Sequence, residues 1–351
     1  MSLPIPSFFN PETVGHIWRV PYQTRAAEAA AYASNHHLTP AHTDQARVCL
    51  LAIDVQNTFC LPEFELFVGG RSGIGAVEDT ERLCRFIYRH LDIITEIVPT
   101  MDTHRAAQIF HPVFWVNDAG EHPEPMTEIS DDAVEKGTWR VNPQLVKSLT
   151  GPFSEIEAFA RHYTQQLRDR GKYPLTIWPY HSMLGGIGHA LVPAFEEACF
   201  FHNMARSSQT RIEAKGDNPL TENYSVLSPE VLNNGSGQPI AQKNNSLIQH
   251  LLSFDAVIIA GQAKSHCVAW TVSDLLSEIQ SIDPALASKI YLLEDCTSAV
   301  VVPGVVDFTD EADDTYRRFA EAGMNIVQSV DDVMRWPHFL ADSDRPNLTL
   351  Q

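Results

Sequence analysis

The sequence predicts a three-layer α/β/α fold, in which helices cover both faces of a central, mostly parallel sheet. Apolar runs such as residues 48–55 and 256–262 lack the alternation of a half-exposed strand. Such runs are typical of strands that are buried on both faces of a parallel sheet. Segments with apolar residues at helical spacing lie between the runs, and alternating strands and helices form parallel sheets.

The predicted elements follow in chain order. An N-terminal arm, residues 1–46, carries one short helix over its Ala-rich stretch, residues 25–33. The predicted strands are residues 48–55, 93–101, 210–216, 256–262, 289–295 and 325–330. The predicted helices of the main domain are residues 75–91, about 192–204, about 268–279 and about 310–322.

The stretch from about residue 117 to 172 is the least regular part of the chain. It holds charge clusters and one predicted helix near residues 154–168. Because sheet-forming segments continue on both sides of it, we interpret it as an insertion and not as a second domain. The predicted organisation is an arm over residues 1–46, one domain over 47–335 and a C-terminal tail over 336–351.

Composition excludes several classes of partner. Lys and Arg number 25 against 44 Asp and Glu, a formal net charge of −19 that argues against nucleic acid and anionic membrane surfaces. No apolar run reaches the roughly 18–20 residues of a membrane-spanning helix, and the first residues do not resemble a signal peptide. We therefore expect a cytoplasmic protein. The six cysteines form no CxxC pair, so neither a zinc ribbon nor a disulfide framework is indicated.

Reactive side chains stand where the predicted strands end. Asp54 ends the first strand, Asp102 and His104 follow the second, Lys215 ends the third, and Cys267 follows the fourth. Ligands of open α/β sheets bind beyond the carboxyl ends of the strands. The sequence therefore predicts one site that contains carboxylates, an imidazole, an amine and a thiol.

Each of these residues also has a purely structural interpretation. Cys267 could be a small buried residue, Asp54 a cap of a helix or turn, and Lys215 a solvated turn lysine. A thiol at the start of a helix, however, is stabilised as thiolate, a nearby lysine lowers its pKa, and a nearby aspartate can take its proton. The combination at one edge of the sheet favours a nucleophilic site.

A metal site is a second possibility at the same edge. Asp102 and His104 stand two residues apart, and His181 is a third candidate ligand. One carboxylate and two imidazoles suit a divalent transition metal such as zinc, iron or manganese. With 15 histidines in the chain, a chance Asp-x-His is common, so this pattern alone is a weak signal.

Five segments together resemble the nicotinamidase branch of the isochorismatase-like cysteine hydrolases. They are AIDVQNTFC, MDTH, WPYH, EAKGDNPLTENYS and GQAKSHCV, and they begin at residues 52, 101, 178, 213 and 261. The resemblance runs from residue 48 to about residue 330 and leaves out the arm and about residues 117–172. It implies an isochorismatase-like form of the predicted α/β/α fold.

The resemblance assigns roles to residues. It implies that Cys267 is the nucleophile, Asp54 the general base and Lys215 the third member of a triad. The metal ligands that it implies are Asp102, His104 and His181.

Further roles concern the substrate. The resemblance implies a cis peptide at Gln262–Ala263, whose backbone N–H groups would form an oxyanion hole with that of Cys267. It also implies that Phe59 and Trp178 sandwich a flat pyridine ring.

The chain departs from the family pattern at several positions. Thr58 stands where Asp is frequent, and Ser182 follows His181 where Cys is common. A further metal-side histidine is frequent after His104; Gln108 occupies its commoner position, and His111 lies slightly too late. These departures bear on the substrate more than on the chemistry.

The resemblance thus predicts hydrolysis of nicotinamide, or a similar small amide, to the acid and ammonia through a cysteine thioester. It also implies a homo-oligomer. One alternative is a metal-independent relative that acts on another small amide, ureido or carbamoyl compound. A second alternative, from a different class, is a catalytically silent binding or assembly protein that keeps the fold.

Overall fold

Six strands form one central sheet in the computed structural model, which describes residues 2–145 and 152–340. They are β1 Val48–Ile53, β2 Glu96–Asp102, β3 Glu213–Lys215, β4 Ala256–Gly261, β5 Ile290–Leu293 and β6 Asn325–Val327. Their order is β6-β5-β4-β1-β2-β3, and every neighbouring pair runs parallel. The predicted parallel sheet is confirmed. Residues 146–151 of the predicted insertion and residues 341–351 of the predicted tail lie outside the described residues.

Helices and short strand pairs surround this sheet. The helices are α1 Tyr22–Asn35, α2 Asn57–Cys60, α3 Gly75–Arg89, α4 Asp131–Glu135, α5 Phe153–Asp169, α6 Pro193–Arg206, α7 Asn245–Leu252, α8 Ala269–Ile282 and α9 Thr309–Glu321. Three antiparallel pairs join Trp115–Val116 to Arg140–Val141, Glu128–Ile129 to Leu175–Thr176, and Val301–Val302 to Val306–Asp307.

Strand β1 shows why its sequence does not alternate. Its odd-numbered residues pack with side chains of α5, α7, α8 and α9, whereas its even-numbered residues pack with those of α1, α3 and α6. All six of its residues are fully buried. Both faces of the strand are therefore apolar, and the three-layer α/β/α architecture is confirmed.

The arm lies along the outer face of the α3–α6 layer. Helix α1 packs against α6, and Arg25 Nε lies 2.6 Å from Glu197 Oε1. Arg206 of α6 is buried and donates a hydrogen bond of 2.7 Å to the Thr39 carbonyl. Among the helices that the structure describes, none is both long and apolar enough to cross a membrane.

Some elements differ from the prediction. Strand β3 has three residues where seven were predicted, and β2 begins three residues later than predicted. Helix α7 was not predicted, although its sequence carries a start signal: Asn244 Oδ1 accepts a hydrogen bond of 3.1 Å from Leu247 N. Its buried side chains, Leu247, Ile248 and Leu251, belong to the same hydrophobic core as those of α8.

Candidate active site

The carboxyl ends of four neighbouring strands, β4, β1, β2 and the edge strand β3, converge on one pocket. In the strand register, Asp102 of β2 lies opposite Lys215 of β3. Ile53 of β1, the residue before Asp54, lies opposite Gly261 of β4. Space of about 450 Å³, partly open to solvent, lies at this edge of the sheet. Its lining residues are Phe59, Leu66, Val68, Asp102, Trp178, His181, Lys215, Glu222, Asn223, Tyr224, Ala263, His266, Cys267 and Val300.

Lys215 is the centre of the polar contacts. Its Nζ lies 3.6 Å from Cys267 Sγ, 2.8 Å from Asp102 Oδ1 and 2.9 Å from the Asn223 carbonyl, and donates to all three. Asp54 Oδ2 lies 3.0 Å from the same Nζ in an ion pair, and it makes no hydrogen bond within the described residues. The structure thus brings together the three residues of the predicted triad, all of them buried.

The charge states of this group follow from burial and from neighbouring charges. Burial alone would lower the pKa of Lys215, but Asp102 and Asp54 raise it well above its ordinary value, so the amine stays an ammonium. Burial acts to raise the pKa of Asp102, but His104 and Lys215 outweigh it and hold that pKa well below the usual range. Asp102 is therefore ionised.

The pKa values of the Cys267 thiol and of Asp54, its prospective base, are shifted upward, opposite to that of Asp102. Burial raises the pKa of Cys267 well above its ordinary value, and the lowering effect of Lys215 does not cancel it. Burial also raises the pKa of Asp54, against the charge of Lys215. Cys267 is therefore a thiol at rest, beside a carboxylate whose proton affinity is increased.

Asp54 is held in place by its strand neighbours. Thr100 Oγ1 donates a hydrogen bond of 2.5 Å to Asp54 Oδ1. The backbone of Asp54 has a φ of 49°, a left-handed conformation that Asp tolerates better than most residues. Opposite it, a Cβ on Gly261 would lie 2.0 Å from the Ile53 carbonyl oxygen, so only glycine fits where β4 leaves the sheet.

Asp102 is shared with a second group of side chains. Its Oδ2 lies 2.6 Å from His104 Nε2 and 3.5 Å from His181 Nε2. Each histidine pairs its other ring nitrogen with a backbone carbonyl: Nδ1 is 3.1 Å from Gly216 O in His104 and 2.7 Å from Pro179 O in His181. These carbonyl contacts suit rings that would carry their proton on Nδ1 and offer Nε2 to a bound metal ion.

The fit to a metal is supported by burial and packing. His104 Nε2 is buried and makes no hydrogen bond within the described residues. The ligand atoms of Asp102, His104 and His181 all lie within 4.8 Å of one another. Gly216 has a φ of 84°, and a Cβ there would lie 2.8 Å from Asp102 Oδ1, so glycine keeps this cluster compact. These three predicted residues could hold a divalent cation.

Gln108 and His111, the two positions considered for a further metal-side histidine, behave differently. Gln108 donates to the carbonyls of Gly216 and Asn218, so its amide stabilises the loop. His111 lies closer to the cluster than its sequence position suggested, with ring centroids 5.9 Å from His104 and 6.2 Å from His181. Its Nε2 is buried without a hydrogen-bond partner among the described residues, although His111 is not part of the compact ligand group.

The segment that carries the nucleophile leaves β4 through a sharp bend. The peptide bond between Gln262 and Ala263 is cis, at the position that the sequence resemblance implied. A single wide, π-helical turn, Lys264–Val268, follows and holds Cys267, and α8 begins only at Ala269. The thiol thus lies in a turn before the regular helix and not in the helix itself.

The pocket walls combine predicted and unpredicted residues. Phe59 and Trp178 both line the pocket, as expected of residues that would enclose a ring. The sequence analysis did not single out Glu222, Tyr224 and His266, which also line it. Glu222 and Tyr224 lie in the ENYS part, and His266 in the SHC part, of the segments that carry the family resemblance. Their place in those segments was the one sequence signal that could have identified them.

These unpredicted residues give the pocket a polar wall. Trp178 Nε1 donates a hydrogen bond of 3.2 Å to the Tyr224 hydroxyl. Burial raises the pKa of Glu222 well above its ordinary value, and burial lowers the pKa of His266 to about 4. His266 is therefore neutral near pH 7, and the proton affinity of the Glu222 carboxyl is increased.

Comparisons with known proteins give matches only among solved structures. No family profile and no curated protein sequence matches the chain. A nicotinamidase/pyrazinamidase of Acinetobacter baumanii is 18% identical with a TM-score of 0.49, and covers 82% of this chain and 99% of its own. The yeast nicotinamidase bound to nicotinaldehyde is 16% identical with a TM-score of 0.49, over 80% and 99%.

An N-carbamoylsarcosine amidase from Thermoplasma acidophilum also matches. It is 14% identical with a TM-score of 0.39, over 82% of this chain and 98% of its own. The chain resembles nicotinamidases and other isochorismatase-like hydrolases.

Proposed function

We propose that this protein is a cysteine amidohydrolase that converts a small amide to the acid and ammonia, with nicotinamide as the first candidate substrate. One observation carries the proposal. The sulfur of Cys267 lies in a pocket within 3.6 Å of a buried ammonium, which in turn lies 3.0 Å from a buried carboxylate of raised proton affinity. This arrangement of a thiol, a cation and a carboxylate supports their roles as nucleophile, charge partner and base in acyl transfer.

The first half-reaction forms a thioester. Asp54 removes the thiol proton of Cys267 as the sulfur attacks the amide carbon and the C–S bond forms. The C–N bond then breaks, and Asp54 returns its proton to the departing ammonia. The Lys215 ammonium offsets the negative charge that passes between the sulfur and the carboxylate.

The second half-reaction releases the acid. Water attacks the thioester carbon while Asp54 takes one of its protons, and the C–S bond then breaks as Asp54 returns that proton to the sulfur, which regenerates the thiol and the carboxylate. The resemblance named the N–H groups of the Gln262–Ala263 segment, but the Gln262 N–H donates to the Ile53 carbonyl at 2.8 Å. The N–H groups of Ala263 and Cys267 would therefore donate to the oxyanion in both tetrahedral intermediates. Removing one such donor from a comparable site costs about 3–4 kcal/mol of transition-state stabilisation.

The pocket favours a flat ring with a polar atom. Phe59 and Trp178 are nearly buried aromatic walls, and Asp102 and His181 line the same space as Cys267. A metal ion held by Asp102, His104 and His181 would act as a Lewis acid that binds a heteroatom of the substrate. A pyridine carboxamide offers such a ring nitrogen together with a scissile amide, which is why nicotinamide is the first candidate.

An ammonia-release screen tests the proposal. Nicotinamide, pyrazinamide and a set of ureido and carbamoyl compounds are incubated with the purified protein, with and without a chelator. We expect release from a pyridine or pyrazine carboxamide that falls when the chelator is present. Turnover of a ureido compound that ignores the chelator would instead support a metal-independent amidase.

Two cysteine variants separate chemistry from folding. Cys267→Ala should release no ammonia while its thermal unfolding and metal content stay near those of the wild type. Cys199→Ala is the control: it removes a buried cysteine on α6, away from the pocket lining, and should retain turnover. Substantial turnover by Cys267→Ala would contradict the nucleophile. A wild-type protein that releases ammonia from none of the amides would favour a binding protein that keeps the fold.

A further inference from the structure

A buried carboxylate lies behind the nucleophile segment and takes no part in the proposed reaction. Asp79 on α3 is only 2% exposed. Its Oδ2 accepts a hydrogen bond of 2.8 Å from Gln262 Nε2, and its Oδ1 accepts one of 2.8 Å from Arg82 Nη2. Burying a carboxylate is costly unless its oxygens are paired, so both contacts matter to this carboxylate.

Gln262 is held from three directions. Its backbone N–H donates 2.8 Å to the carbonyl of Ile53, the residue before Asp54. Its side-chain Oε1 accepts a hydrogen bond of 3.3 Å from Ser298 N, and its Nε2 donates to Asp79. The side chain therefore connects α3 and the segment after β5 to the point where β4 leaves the sheet.

Ser298 closes this network onto the nucleophile turn. Its carbonyl accepts a hydrogen bond of 2.8 Å from Lys264 N, the first residue of the turn that holds Cys267. A Cβ on Gly75 would lie 2.5 Å from Ser298 Oγ, so α3 and the Ser298 segment are in tight contact. The turn is thus fixed at both its entry and its first residue by groups outside the pocket.

We propose that Asp79 is a positioning residue: through Gln262 it fixes the turn that places the Cys267 sulfur beside Lys215 and Asp54. The contacts that carry this inference are the two carboxylate hydrogen bonds and the Ser298 link. The expected effect of Asp79 on ammonia release rests on the proposed amidase function. Its expected effect on the reactivity of the Cys267 thiol does not. Neither Asp79 nor Gln262 lines the pocket, so neither touches substrate.

Exchanging the two partners tests the contact directly. Gln262→Glu places two carboxylates face to face. The double variant Asp79→Asn/Gln262→Glu restores a donor–acceptor pair, in which the amide is now at position 79 and the carboxylate at position 262. In the double variant the carboxylate introduced at position 262 can accept from both the amide introduced at position 79 and Ser298 N. Should Gln262→Glu fail to fold, Gln262→Met removes both hydrogen bonds without adding charge. Glu81→Gln is the matched control, because Glu81 pairs with Arg85 on the same helix at 2.8 Å but is one-third exposed.

The first readout is the rate of alkylation of Cys267 by iodoacetamide over a range of pH. Labelling of the other five cysteines is subtracted with a Cys267→Ala background. We expect Gln262→Glu, or Gln262→Met, to slow the reaction about tenfold, the change in thiolate fraction that one pKa unit produces. The double variant should return to within about twofold of the wild type, and Glu81→Gln should not differ from it.

The second readout is ammonia release. Where the wild type turns over an amide, kcat should fall and recover in the same pattern while KM stays unchanged. Alkylation rates that are equal in all variants, or that stay low in the double variant, would overturn the role of Asp79. An absence of wild-type turnover would refute the proposed function alone, because the alkylation pattern still decides the positioning role.

Discussion

Removal of the Lys215 charge is the most informative perturbation of this site. Lys215→Met keeps the length and apolar stem of the side chain but leaves Asp54 and Asp102 buried without their shared cation. The structure places Nζ 3.0 Å from Asp54 Oδ2 and 2.8 Å from Asp102 Oδ1, and the three side chains are at most 6% exposed. Two carboxylates therefore lose their partner at once.

The size of the effect follows from these distances. At an effective dielectric constant of about 20, each contact is worth about 5–6 kcal/mol before desolvation is subtracted. Removing one partner of a buried ion pair destabilises proteins by about 3–5 kcal/mol. We expect Lys215→Met to lower the free energy of unfolding by about that amount at pH 7, and by less as pH falls and protonation of Asp54, whose pKa is raised by burial, removes one of the unpaired charges.

Chemical denaturation in the presence of a chelator measures this change, since a metal ion at Asp102 would itself offset the lost charge. Lys243→Met is the control: Lys243 pairs with Glu278 at 2.6 Å but is 44% exposed, so about 0–1 kcal/mol is expected. The double variant Lys215→Met/Asp54→Asn should recover part of the lost stability without recovering ammonia release. A loss below about 1 kcal/mol for Lys215→Met would refute the arrangement of charges described here.

Three further expectations concern the base, the metal and acid stability. Because burial raises the pKa of Asp54, the acid limb of kcat/KM should lie above the ordinary aspartate pKa of about 4, and activity should fall as pH drops through it. An acid limb at or below that value would contradict the base. His181→Ala should lose metal, measured by elemental analysis, while Cys267 can still be alkylated by iodoacetamide at a rate shifted by that loss. Burial lowers the pKa of His202 from 6.5 to about 4, so unfolding free energy should decline as pH falls across that window, by about 3 kcal/mol from this residue. His202→Leu should flatten the decline, and an unchanged pH profile would show that His202 is not held neutral.

Much of the site could be predicted because the topology of a parallel sheet leaves few alternatives. A buried apolar run identifies a strand, and residues that follow such runs meet at the carboxyl edge. Asp54, Asp102, Lys215 and Cys267 are each within a few residues of a strand end, so their convergence needs no knowledge of side-chain packing. His181 lies far in the chain from any strand of the central sheet; it was named as a third candidate ligand, and only the resemblance of WPYH assigned it to the metal group.

The remaining features depend on contacts between segments that are distant in the chain. Asp79 and Gln262 are 183 residues apart, and neither has a local pattern that reveals the other. Glu222 lies beyond β3, a strand of only three residues, in a loop without periodicity. Helix α7 was missed for a different reason, since eight residues give too short a pattern to separate a helix from a loop.

The largest difference between prediction and structure lies in how the groups are divided. The sequence analysis treated the Cys-Lys-Asp triad and the Asp-His-His metal group as two sets at one edge. In the structure Asp102 belongs to both, because Oδ1 accepts from Lys215 while Oδ2 faces His104 and His181. A cation bound by those histidines would draw charge from the same carboxylate that keeps Lys215 protonated. The state of the metal group and the reactivity of the Cys267 thiol are therefore coupled through one side chain, and any substitution of Asp102 must act on both.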